Sequence, residues 1–112
     1  MECRARTAVV AAALGVLAAP TFAGESALAP SRRAEILHLV RQECGSCHGL
    51  RMKGGLGPPL VPEVLAAKDS ENLRHVVLHG RPGTAMPPWM RFLTEAEARW
   101  VIEMLQKGLP SE

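Results

Sequence analysis

The chain has 112 residues and a formal charge of +2, with 47% hydrophobic residues, 4% aromatics and no tyrosine. That length bounds it to one domain. With no basic run to track phosphates, the near-neutral balance excludes a general nucleic-acid surface.

Taken in chain order, residues 1–23 read as a secretory signal peptide. Met1 to Arg6 is short and positively charged, and the apolar run from Ala8 to Ala19 is too short to span a bilayer. Pro20-Thr21-Phe22-Ala23 then offers small residues at the two positions a signal peptidase reads. Cleavage after Ala23 is expected, leaving a mature domain over 24–112 in the periplasm with no stable membrane anchor. A retained anchor is the competing reading. Ala27-Leu28-Ala29 is a second cleavage candidate, disfavoured by Pro30 directly after it, and no cysteine follows the apolar run to take a lipid. The mature chain keeps only Trp89, Phe92 and Trp100 as aromatics, so its core is marginal by itself.

Gly24 to Pro30 reads as a loose arm. Ser31 is the expected N-cap of a helix running to about Glu43, with Pro30 just outside. Ile36, Leu39, Val40, Cys44 and Cys47 recur at helical spacing, which leads the apolar face straight into Cys44-Gly45-Ser46-Cys47-His48. His38 lies off that stripe and is expected in solvent.

Those five residues are the C-x-x-C-H attachment signature of c-type haem. Two thiols separated by two residues can each add to a vinyl group on one porphyrin edge. The following histidine then lies under the iron as a neutral imidazole ligand. A closed zinc site needs four protein ligands; beyond Cys44 and Cys47 it would have to recruit His38, His75 or His79, none at finger spacing. A thioredoxin-like dithiol needs a strand–helix unit, and none is visible. Thioether attachment would consume both cysteines of the mature chain and leave none for a structural disulfide.

Gly49 to Pro62 is too rich in glycine and proline for regular structure. Gly57-Pro58-Pro59-Leu60 lets backbone approach His48, where a carbonyl can take the imidazole N–H; an ordinary turn-rich loop is the alternative. Pro62 to Lys68 is expected as a short helix, and Asp69 or Ser70 as the cap of another that ends at His79–Gly80. Leu73, Val76 and Val77 form its apolar stripe. His75 and His79 stand four apart, a metal-binding spacing, but no carboxylate accompanies them at motif spacing, they avoid the apolar stripe, and a solvated pair is the reading preferred.

Arg81 to Trp89 contains Met86-Pro87-Pro88, a thioether on a proline-stiffened loop, suited to the iron's sixth position. Met90 shares that loop and competes for the role. Met52 follows His48 too closely to leave the proximal side, and Met104 falls on a helix face, where core packing is the default. Thr94-Glu95-Ala96-Glu97 is a capping box for a last helix whose apolar face is Trp100, Val101, Met104 and Leu105. Lys107, Gly108 and Pro110 end it, and it is expected to pack on the first helix.

The order helix, C-x-x-C-H, G-P-x-L loop, helices, M-P-P-W and helix resembles the small class I cytochromes c. The resemblance implies an all-α fold of about four short helices around one covalent haem c, with first and last helices in contact. It implies thioethers at Cys44 and Cys47, iron ligation by His48 and Met86, and a Pro58 carbonyl bonded to His48. Gly54-Gly55-Leu56-Gly57-Pro58, His79-Gly80-Arg81-Pro82-Gly83-Thr84 and Met86-Pro87-Pro88-Trp89 further resemble the periplasmic cytochrome c-55x group of denitrifying bacteria. That resemblance implies a one-electron carrier, not an enzyme, serving a cd-type nitrite reductase or accepting electrons during haem d1 maturation. The alternative is a haem-based sensor or catalyst, should the Met86–iron bond be labile.

Overall fold

The computed structural model describes residues 28–111. The signal peptide, its cleavage after Ala23 and most of the Gly24–Pro30 arm lie outside the described residues. Within them all regular structure is helical, with no strand: α1 (Pro30–Leu39), a π-helical turn (Val40–Cys44), α2 (Gly45–His48), α3 (Pro62–Leu65), α4 (Ser70–His79) and α5 (Glu95–Lys107). α1, the π turn and α2 are continuous, so four helical stretches result, as the resemblance implies.

The start of α1 differs from the expectation. Ser31 is not the cap; Pro30 takes the first helical position, where its missing N–H would have had no partner anyway, and Ala29 is the N-cap without a side-chain hydrogen bond. The stretch also does not end near Glu43. Val40 O instead accepts from Gly45 N, five residues on. This inserts one extra residue into the turn and rotates everything after it by roughly 100° relative to an uninterrupted α-helix. α3 is shorter than expected, stopping at Leu65.

α4 begins where Asp69 accepts a hydrogen bond from Asn72 N and ends at Gly80, φ 70°. Its expected stripe is only half-buried: Leu73, Val76 and Val77 keep some exposure, and Leu78 is the buried residue. α5 forms as its sequence dictates. The Thr94 hydroxyl accepts from Glu97 N and the Glu97 carboxylate from Thr94 N, a complete capping box, and Gly108 at φ 108° closes the helix.

The core is aliphatic: Ile36, Val40, Met52, Leu65, Leu93, Val101, Met104 and Leu105, with Trp89 and Trp100 packed half-buried on its edge. First and last helices share this cluster, and Arg32 Nε donates to Glu97 Oε1 at 2.6 Å between them. Gln106 ties three elements together. Its amide donates to Leu65 O and Lys68 O, both at 3.1 Å, and its Oε1 accepts from Ser70 Oγ at 3.0 Å.

The hydrogen bond from Arg32, together with the capping contacts to Thr94, holds the Glu97 carboxyl down at about 2 against burial, which acts the other way. A carboxylate depressed in the folded state adds stability above its unfolded value, lost as pH falls through the folded one. Thermal melts are therefore expected to fall between about pH 4.5 and pH 2 more steeply for the native chain than for Glu97→Gln. Parallel pH profiles for the two proteins would contradict this.

Candidate functional site

The π turn decides how the two thiols are presented. Both thiols are half-buried; Cys44 packs against the core beside buried Gly45, and Cys47 follows one turn later. Burial pushes the Cys44 thiol up to about 11. Neither cysteine is bridged.

The loop after α2 folds back over the same turn. Gly54 N donates to His48 O and Gly57 N to Cys47 O, each at 2.8 Å, and Leu60 N donates to Met52 O at 2.8 Å. Met52, held in the left-handed region at φ 57°, is buried in the core and takes no part in the site. The wrapped loop brings Pro58 O to 2.7 Å from His48 Nδ1. A proline carbonyl can only accept, so Nδ1 carries the proton, and Nε2 is left as the nitrogen with a free lone pair. That is the tautomer an imidazole needs to bind a metal through Nε2 while a second partner fixes its ring.

Glycine makes the approach possible. A Cβ on Gly57 would stand 2.7 Å from both Cε1 and Nδ1 of His48, and one on Gly55 2.9 Å from Cys47 O. The residues present fit a c-type haem. Two unbridged thiols sit in adjacent turns, one imidazole is oriented with Nε2 available, and its flank is stripped of side chain. Cys44, Cys47, His48 and Pro58 come together as one unit.

Met86 belongs to a second, separately tethered loop. Its carbonyl accepts from Arg81 N at 3.1 Å and its N–H donates to Thr84 Oγ1 at 3.3 Å. Trp89 N to Val77 O at 3.0 Å and Met90 N to Leu78 O at 3.2 Å fasten the far side of the loop to α4. Met86 is half-buried, whereas Met90 is 59% exposed and Met104 lies in the core. Gly80 contributes something that a helix-ending glycine does not announce. A Cβ there would meet Met86 O at 2.7 Å, Pro87 C at 2.8 Å and Pro88 N at 2.9 Å, so the methionine loop lies directly on the end of α4. His38 is exposed, and so are His75 and His79.

Comparison with known proteins gives a consistent picture. Residues 31–105 match the family described as cytochrome c oxidase, cbb3-type, subunit III. The chain is 57% identical over 77 residues to cytochrome c55X of Paracoccus denitrificans (strain Pd 1222), covering 69% of this chain and 75% of that protein. It superposes on a solved c-type cytochrome NirC with a TM-score of 0.70 at 49% identity, covering 71% of this chain and 94% of that one. Dihydro-heme d1 dehydrogenase of Pseudomonas aeruginosa is 40% identical over 86 residues, which is 77% of this chain but only 17% of that larger protein.

Proposed function

The chain belongs to the cytochromes c, as a small electron carrier related to the c55X group, and from that membership we propose that it serves denitrification in the periplasm. Its haem c supplies a reversible one-electron change. Cys44 and Cys47 would attach one haem, and His48 and Met86 would hold its iron. Residues 1–23 are removed on export, leaving the cytochrome domain over 24–112.

The observation that carries this reading is the His48–Pro58 hydrogen bond at 2.7 Å. It fixes the ring and leaves Nε2 for the metal, in the turn that also holds both thiols. A dithiol gains nothing from it, and a zinc site, which would use the same tautomer, lacks the further ligands. Among the described residues no group of three or more His, Cys, Asp or Glu side chains could hold a metal ion, and the residues around C-x-x-C contain no strand. The tethered Met86 loop favours a carrier over a sensor, because a pre-held thioether loses little entropy on binding and leaves no position open for a substrate.

The cd-type nitrite reductase is the partner class proposed. Similarity to a dihydro-heme d1 dehydrogenase supports a second use within the same system, as acceptor during haem d1 maturation. Dehydrogenation of a dihydro compound releases two protons and two electrons, so two oxidised copies of this carrier would be reduced for each molecule of product.

Intact-mass spectrometry of the exported protein tests attachment and processing together. A chain beginning at Gly24 with the mass of one haem added, surviving acid–acetone extraction, is expected. An intact Met1 would contradict the processing, and a haem that extracts freely would contradict the attachment.

A further inference from the structure

α4 carries a feature that electron transfer does not use. His75 and His79 are both exposed, one helical turn apart, with ring centroids 4.4 Å from each other and planes tilted by 41°. Neither ring forms a hydrogen bond or ion pair with another described residue. The neighbouring cation, Arg74, is taken up by Glu71 at 2.6 Å and by Glu95. Two imidazoles held side by side on a regular helix are a chelating pair: once one nitrogen binds a metal ion, the second is already within reach. Because both rings face water, bringing a hydrated cation to them carries no burial penalty.

We propose that His75 and His79 form a two-imidazole site for a borderline divalent first-row cation, with Cu(II) held most tightly. Imidazole ligands suit Cu, Ni and Zn, and affinity at a given nitrogen site rises to Cu(II) and falls again at Zn(II). The structure offers no third protein ligand among the described residues, so water completes the coordination.

The site's position gives it a consequence. His79 is the last residue of α4, and the Met86 loop lies against Gly80 and is bonded back to Val77 and Leu78. A cation bridging the last turns of α4 clamps the helix end on which that loop rests. It also occupies the nitrogen of His79, the imidazole best placed along the chain to compete with Met86 should this helix end fray.

The test uses the haem-loaded ferric protein, equilibrated by dialysis with copper(II) chloride and, separately, zinc chloride, with bound metal measured directly. One Cu(II) per chain at micromolar free metal is expected, with Zn(II) weaker and a Cu(II) electron paramagnetic resonance signal showing two nitrogen ligands. His75→Asn and His79→Asn should each lower Cu(II) affinity about tenfold or more, while His38→Asn, a lone exposed histidine, should leave it unchanged. All three replacements are at exposed positions, so loss of fold does not obscure the result. Undiminished binding in both α4 variants, an equal loss in His38→Asn, or no uptake by the native protein would each overturn the proposal.

Discussion

Replacing Met86 by alanine is expected to abolish the sulfur-to-iron charge-transfer band of the ferric protein. It should also lower its reduction potential and let small ligands bind. The loop geometry gives the reason. Arg81 N, Thr84 Oγ1 and the close packing on Gly80 hold the Met86 backbone. Pro87 and Pro88 stiffen the next two positions, so the thioether is presented without a large loss of loop entropy. Axial ligands set haem potentials over roughly 0.8 V, and loss of a methionine moves the potential downward, here by on the order of 100 mV or more within that span. Met90→Ala should leave all three properties nearly unchanged, because Met90 is 59% exposed and its backbone is pinned to Leu78. Imidazole from His79 is the one substitute to guard against, and Met86→Ala combined with His79→Ala isolates it. Loss of the band in Met90→Ala but not in Met86→Ala would reverse the ligand assignment while leaving the carrier function intact.

The second large effect is on folding. Cys44→Ala with Cys47→Ala is expected to lose the cooperative thermal transition and most of the helical circular dichroism. The buried core of the described residues is aliphatic and holds no aromatic side chain, while Phe92 is 57% exposed and Leu56 92%. Leu60, Leu73, Val77 and Trp89 are left half-buried at the edge of the core. A domain this small is marginal unless a further apolar body enlarges its core. The long glycine- and proline-rich segment from Gly49 to Pro62 adds ordering entropy without adding regular structure. A sharp transition in the haem-free double variant would show that the polypeptide folds independently.

Features carried by contiguous residues were legible in the sequence. The Thr94–Glu97 capping box, a cap at Asp69 or Ser70, the glycine ends of α4 and α5 and the C-x-x-C-H motif all depend on neighbours within a few positions. Gly57-Pro58 allows a backbone carbonyl to approach His48, since only a stripped backbone can lie against a ring, but leaves an ordinary turn-rich loop as the alternative.

The features that escaped depend on contacts between distant segments. The π turn has no local marker. Ile36, Val40, Cys44 and Cys47 fit an unbroken α-helix equally well, and the extra residue serves the packing of Cys44 and Gly45 against the core. Leu73 and Val77 do pack on the core cluster but stay half-buried, and the fully buried residue of α4 is Leu78, outside that cluster. Gln106 and Gly80 look like an ordinary polar residue and an ordinary helix stop; their roles appear only when Leu65, Ser70 and Met86 arrive from elsewhere in the chain. A sharper reading of Gly80 was available in principle, since a glycine six residues before a Met-Pro-Pro run can mark where that loop folds back.

The most direct test of the electron-carrier account is the absorption spectrum of the purified ferric protein at neutral pH, followed through a spectroelectrochemical titration. A low-spin spectrum with a sulfur-to-iron band that resists added ligands and disappears in a single one-electron wave is the predicted result. A high-spin ferric spectrum without that band, shifting readily when small ligands are added, would contradict it.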